Sequence, residues 1–236
     1  MLPLFYSDQL AEGIESIVLD EETSRHIVQV LRMKKEERLQ LTNGKGNIVS
    51  AHIEDDHKKK VVVKIEERTV HQPEKRKITI AISLLKNANR FEWFLEKATE
   101  IGIGEIMPVI CDRTERQHFR FDRMQTILVS AMLQSRQVWM PQLHEPTKLA
   151  DVISSSTHEQ KLIAHCIEEQ KKELTNVVDK SVLSTVILIG PEGDFTGAEV
   201  SMAMSKGFIP VALGNNRLRA ETAGVVAAVL LKLNSQ

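Results

Sequence analysis

Beyond residue 77 the chain repeats one pattern, a short unbroken apolar run followed by a stretch with helical periodicity. The runs are ITIAISLL at 78–85, IMPVI at 106–110, KLIAHC at 161–166, TVILIG at 185–190 and FIPVAL at 208–213. A strand with one wet face alternates apolar and polar side chains. A strand that is apolar throughout is covered on both faces, which is the mark of a largely parallel sheet carrying helices on each side. The intervening helices are expected at 90–101, at 123–134, after Thr196 and at 221–231. Residues 73–236 therefore read as one α/β domain.

Residues 1–72 follow another rule. RLQLTNGKGNIVSAHI alternates on both sides of Asn43 and Gly44, two residues that tolerate positive φ, so a hairpin is expected there. KVVVKI at 60–65 supplies another strand, and a short helix is expected over 22–32 with Ile27, Val30 and Leu31 on its apolar face. The run DDHKKK at 55–60 reads as a solvated hairpin end that protects a sheet edge. HQPEKRK at 71–77, polar and carrying Pro73, separates the two patterns and reads as a linker between a small β-rich module and the α/β domain.

Charge narrows the choice of partner only slightly. With 31 basic and 32 acidic side chains the net charge is -1, so affinity for a polyanion would have to come from a local basic patch. Cys111 and Cys166 stand far apart without a C-x-x-C pair, which fits a reducing cytoplasm and indicates no metal. MLPLFYSDQL has no signal-peptide pattern, and the apolar run AGVVAAVLL at 223–231 falls far short of the ~18 residues of a membrane span.

Four places are candidates for chemistry. The strand TVILI runs into the corner Gly190-Pro191-Glu192-Gly193, and Thr196-x-x-Glu199 then forms a capping box for the next helix. Ligands of open parallel sheets bind beyond the carboxyl ends of strands, although any strand-to-helix connection also needs turn residues. The next strand ends in LGNNRLRAETA, where Gly214 permits close approach and Asn215, Asn216, Arg217 and Arg219 precede an almost wholly apolar helix. Capping accounts for Glu221 and Thr222 but gives no reason for two arginines beside a helix's positive end. KLIAHC places His165 at a third strand end, where a hydrogen-bonded structural histidine is the plainer reading. Finally Arg113, Arg116, Arg120 and Arg123, if helical, would share one face, as a phosphate track or as a solvated face paired by Asp112, Glu115 and Asp122. G-x-G-x-x-G, G-x-x-x-x-G-K-[ST], G-x-S-x-G and H-E-x-x-H are all absent.

Taken together these stretches resemble the RsmE family of 16S ribosomal RNA uridine-N3 methyltransferases, in the SPOUT superfamily. The resemblance runs almost end to end, through RHIVQVLRMK, RFEWFLEKATEIGIGEIMPVICDRTER, AMLQSRQVWMPQL, LIGPEGDFTGAEV and LGNNRLRAETAGVVAA. It implies a PUA-like RNA-binding β-barrel domain at 1–72 and, at 73–236, a SPOUT methyltransferase domain with a C-terminal trefoil knot. It implies a homodimer that binds S-adenosylmethionine and methylates N3 of a uridine in 16S ribosomal RNA or the small ribosomal subunit. Another SPOUT enzyme acting on a different RNA base, or a catalytically silent ribosome-assembly factor, are the alternatives.

By the same resemblance the cofactor would be held by Leu162, His165, Gly190, Pro191, Glu192, Gly193, Leu213, Gly214, Asn216, Leu218, Arg219, Glu221, Thr222 and Ala223. Arg219 or Arg217 would face the base or its phosphates, and Glu192 or Glu221 would orient groups. RNA contacts are expected at Arg25, Arg32, Arg113, Arg116, Arg120 and Arg136. Three departures stand out: Leu4 where relatives commonly carry an arginine, Asp194 in place of the second glycine of GPEGGF, and Asn216 where the first arginine of LG-x-R-x-LR would fall.

Overall fold

In the computed structural model, which describes residues 1–115, 118–167 and 171–234, the alternating N-terminal stretches become strands. The first of two units comprises Met1–Pro73 with Met132–Met140. Its elements are β1 (Leu4–Tyr6), β2 (Ser16–Val18), α1 (Glu21–Arg25), β3 (Arg38–Thr42), β4 (Asn47–Asp55) and β5 (Val62–Val70). The sheet order is β1-β3-β4-β5-β2, with β1 parallel to β3 and the other neighbours antiparallel. Inward side chains at every second position, Leu39, Leu41, Val49, Ala51, Ile53 and Val63, form the core with Leu10, Ile17 and Ile27.

The hairpin is present, but its connection spans residues 43–46. Gly44 and Gly46 take φ of 65° and 82°, whereas Asn43 acts through its side chain, whose Oδ1 accepts from the amide of Lys45 at 2.9 Å. The helix expected over 22–32 is altered more. Asp20 caps α1 through the amide of Thr23 at 2.9 Å, but α1 ends at Arg25 and gives way to a π-helical turn, His26–Val30. Leu31 donates to the carbonyl of His26, five residues back. That widening turns Val30 and Leu31 outward, 66% and 44% exposed, while Ile27 stays wholly buried. The apolar face read from the sequence is thus split.

The second unit comprises Glu74–Ala131 with Pro141–Gln236. It contains β6 (Lys77–Ser83), α2 (Ala88–Ile101), β7 (Glu105–Ile110), α3 (Phe121–Ser135, whose last turn belongs to the first unit), β8 (Gln142–Leu143) and β9 (Thr147–Lys148). There follow α4 (Leu149–Ser155), β10 (Gln160–Ala164), β11 (Lys172–Glu173), α5 (Leu174–Val177), β12 (Ser184–Ile189), α6 (Gly197–Ser205), β13 (Ile209–Ala212) and α7 (Ala220–Leu233). The sheet runs β11-β13-β10-β12-β6-β7-β8, every pair parallel, with β9 also pairing β7. Ile80, Ile82, Leu162, Ile163, Val186, Ile187 and Leu188 are wholly buried, as strands covered on both faces require.

The path of the last helix positions everything that follows. β13 lies near one edge of the sheet, yet α7 returns to pack on β6, β12 and α2. This return is what the expected knotted topology needs. Close packing is possible because residue 224 is glycine: a Cβ there would lie 2.7 Å from the Phe94 ring and 3.0 Å from Ile82 Cδ1.

At the amino edge of the same sheet Glu105 is almost fully buried. Its carboxylate accepts from Thr79 Oγ1 at 2.6 Å, meets Lys77 Nζ at 3.0 Å and bonds His144 Nε2 at 2.6 Å. Burial raises the Glu105 pKa, but those three partners together outweigh it and hold the group below its ordinary value. His158 is pushed down, chiefly by burial and against the pull of Glu105. Both folded-state pKa values lie below the unfolded ones, so both contributions are complete above the unfolded values and are lost as pH falls. The expected result is a melting temperature that declines as pH falls through 6.5, where the unfolded chain gains a proton that the buried His158 does not yet accept, and declines further below pH 4.5, where the unfolded carboxyl protonates ahead of Glu105. Scanning calorimetry between pH 8 and pH 4 measures it, and a flat profile across that range would contradict the assignment.

Among the described residues, no helix is long and apolar enough to cross a membrane, and no group of three or more His, Cys, Asp or Glu side chains is arranged to hold a metal ion.

Candidate functional site

Strands β13, β10 and β12 lie side by side, with Ala164 in register with Ile189 on one side and with Val211 on the other. The three segments that leave their carboxyl ends therefore emerge together. They are the segment after Ala164, the Gly190–Gly193 corner, and residues 213–219 leading into α7. Between them lies a cleft of two lobes, of about 280 and 400 Å³, which share Ala164, Cys166, Arg217, Leu218 and Ala223. Each lobe is near the lower end of the ~300–1,000 Å³ usual for small-molecule sites, so the joined pair suits a ligand with two distinct parts.

Most residues singled out from the sequence meet here. Gly190, Pro191, Glu192 and Arg219 line the smaller lobe. His165, Leu213, Gly214 and Asn216 line the larger one, and Arg217, Leu218 and Ala223 belong to both. Leu162 lies wholly buried within β10, and Gly193 packs beneath the side chain of Arg113. Glu221 and Thr222 lie in the first turn of α7 behind the lining. Glu221 is buried, with Oε1 3.6 Å from Arg90 Nε and Oε2 without a hydrogen-bond partner among the described residues. Arg90 was not singled out from the sequence; the signal was a cation in the first turn of α2, where helix electrostatics disfavour one.

The two glycines at the strand ends have different reasons to be glycine. A Cβ at Gly190 would lie 3.2 Å from the Phe195 ring, a tight contact that a side chain there could make only if the ring gave way by a few tenths of an ångström. Gly214 has open space around it but a φ of 112°. The capping box is complete, with Thr196 Oγ1 accepting from the Glu199 amide and Glu199 Oε2 from the Thr196 amide. The corner is also tied to its surroundings. Lys86 N donates to Glu192 Oε1 at 3.1 Å, and Arg113 Nη1 donates to the Gly193 carbonyl at 2.7 Å. Cys166, Asp194, Lys171, Ile189 and Ala220 also line the cleft; of these the sequence singles out Asp194 alone, and the rest are brought in by the folding of remote segments.

The arginine stripe is not a single helical face. Among the described members Arg113 sits in a turn, Arg120 precedes α3, and Arg123 alone is helical, where it forms a two-pronged pair with Glu92 at 2.6 and 2.8 Å. Arg116 lies outside the described residues. In the first unit Arg25 pairs with Glu21 one turn away, Arg136 donates to the Leu2 carbonyl at 2.8 Å, and Arg32 is exposed with φ 57°. Arg217 and Arg219 are both exposed, and neither is ion-paired among the described residues.

The lining offers both signs of charge beside apolar surface. Glu192 and Asp194 line the smaller lobe with Ile189, Pro191, Leu218 and Ala223, and Arg217, Arg219 and the amino end of α7 lie alongside.

Comparison with known proteins matches the RNA methyltransferase domain family to residues 72–232 and the RNA methyltransferase PUA domain family to residues 19–66. The ribosomal RNA small subunit methyltransferase E of Rickettsia conorii is 26% identical over 234 residues, 98% of this chain and 94% of the relative. Among solved structures, a probable rRNA-methyltransferase from Porphyromonas gingivalis superposes with a TM-score of 0.89 at 37% identity, covering 96% of this chain and 95% of that one. The ribosomal RNA small subunit methyltransferase E of Neisseria gonorrhoeae bound to S-adenosyl methionine superposes with a TM-score of 0.88 at 28% identity, covering 99% and 98%.

Proposed function

From its membership of the RsmE family of RNA methyltransferases, in which a PUA domain precedes a SPOUT-type domain, we infer that this chain is an S-adenosylmethionine-dependent methyltransferase of 16S ribosomal RNA. Its target on this reading is N3 of a uridine. The observation that carries the reading is the two-lobed cleft where β10, β12 and β13 end, on a chain that matches a cofactor-bound relative over nearly its whole length. Bound in that cleft, S-adenosylmethionine supplies an electrophilic methyl group. Gly214 and the residues after it would lie against one part of the ligand in the larger lobe, while the carboxylate of Glu192 would favour its positive charge in the smaller.

The residues of the chain then have the acceptor to manage. Uracil N3–H is a weak acid, and negative charge gathers on the flanking carbonyl oxygens as its proton departs. Arg219, exposed at the smaller lobe, donates to one of those oxygens, and Arg217, shared by both lobes, grips the adjoining phosphate. Arg90 fixes Glu221 at the start of α7, which keeps Arg219, two residues before it, aimed at the cleft.

Residues 1–72 supply RNA affinity on this reading, with the exposed Arg32 an expected contact there, and the protein acts in the cytoplasm. It works as a homodimer through the packed pair α2 and α7, which leave Trp93, Val229 and Leu233 at the surface; a monomer in sedimentation equilibrium at micromolar concentration would count against that. Two measurements test the function. Isothermal titration with S-adenosylmethionine should give one site per chain, and small subunits incubated with both should yield a methylated uridine by nucleoside mass spectrometry. Absence of heat from the folded protein would leave the reading without its cofactor.

A further inference from the structure

Asp194 adopts φ 62°, in the left-handed region that a residue with a side chain enters at a cost of roughly 1 kcal/mol. Its amide donates to the Pro191 carbonyl at 2.9 Å, closing the corner into a tight turn. That turn directs the carboxylate across to the neighbouring strand end, where Oδ2 accepts from the amide of Cys166 at 2.7 Å. A charged acceptor makes this a strong, short hydrogen bond. Cys166 lies two residues beyond the end of β10 and lines both lobes. From the opposite side Lys171 Nζ donates to the carbonyls of His165 at 2.6 Å and Ile167 at 2.8 Å. The 165–167 segment is thus gripped at its amide by one side chain and at its carbonyls by another. None of these three bonds is part of the sheet.

We propose that Asp194 is a positioning residue of the cleft, a strut that holds the 165–167 segment, whose Cys166 lines both lobes, in its ligand-receiving position before the ligand arrives. The proposal deepens the cofactor reading and rests on it for the identity of the ligand. A wall ordered in advance removes an ordering cost from binding. If loss of the strut leaves the receptive arrangement populated only about a tenth of the time, apparent affinity falls about tenfold.

Two substitutions separate positioning from general stability. Asp194→Gly suits the positive φ and removes the carboxylate, whereas Asp194→Asn tolerates the same φ and keeps an acceptor oxygen. Cys166 is the exposed one of the two cysteines; Cys111 is buried, its thiol pushed up to about 12 mainly by burial, so a thiol reagent reports on the 165–167 segment alone. In the absence of cofactor, Asp194→Gly should raise the labelling rate of Cys166 by about tenfold with no loss of melting temperature, while Asp194→Asn stays within about threefold of the parent. Titration with S-adenosylmethionine should show the matching pattern, a Kd about tenfold weaker in Asp194→Gly and close to the parent in Asp194→Asn. Parental labelling and parental affinity in Asp194→Gly would overturn the proposal. Should the parent protein itself give no heat with S-adenosylmethionine, the cofactor reading fails, and the labelling contrast still decides whether the strut exists.

Discussion

Replacing Arg219 with alanine should lower kcat for methyl transfer by about 100- to 1,000-fold while leaving the Kd for S-adenosylmethionine within about threefold of its starting value. The split follows from where the side chain sits. Arg219 is the N-cap residue of α7 but makes no side-chain capping bond, and it is exposed at the smaller lobe without an ion-pair partner among the described residues. A guanidinium at the positive end of a helix is electrostatically unfavourable unless an anion joins it. A uracil losing its N3 proton is such an anion, and it exists only on the way to the transition state, so the arginine contributes to rate more than to binding of the methyl donor. Arg219→Lys keeps the charge but not the planar fork and should recover only part of the loss. Single-turnover kinetics and isothermal titration on the same preparations measure both quantities. Turnover at the parental rate in the alanine variant would remove Arg219 from the mechanism.

The second large effect is expected in the core. Phe94 is wholly buried on α2 and receives α7 at Gly224. Phe94→Ala should cost about 3–5 kcal/mol, the transfer free energy of the ring plus the cavity it leaves. Urea unfolding would show it as a lower midpoint at an unchanged slope. The loss should be at the upper end of that range if α7 cannot settle into the cavity, because the strands beneath it are fixed by parallel pairing on both sides of β6 and β12. A change below about 1 kcal/mol would mean that the α2–α7 contact does not support the second unit as described.

How far the sequence could be read depended on whether a signal was local. The buried strands were legible because covering both faces leaves no polar position to break the run, and the capping box at Thr196 and Glu199 formed as spaced. Three strand ends were expected to converge, and β13, β10 and β12 do lie together. What stayed hidden were distances between segments remote in the chain: Arg90 to Glu221, Arg113 to the Gly193 carbonyl, and Asp194 to Cys166. Asp194 is instructive, since its difference from the family motif was visible at once, but its meaning depended on a backbone φ and on an amide 28 residues away. Local periodicity also misled at two points. The 22–32 stretch has helical spacing, yet a π-helical turn carries Val30 and Leu31 to the surface. The 113–123 arginines have helical spacing too, yet Arg113 lies in a turn and α3 begins only at Phe121.

The return of α7 to the middle of the sheet makes floor and lid a single piece. The segment that encloses the larger lobe, from Leu213 to Leu218, runs without interruption into the helix that Phe94 and Ile82 hold in place. A ligand gripped by that segment therefore acts as a latch on the helix behind it, and withdrawing α7 from its seat first requires the ligand to let go. Binding in the cleft and retention of the last helix are thereby coupled, and the helix, already seated without a ligand, is held more firmly when one is bound.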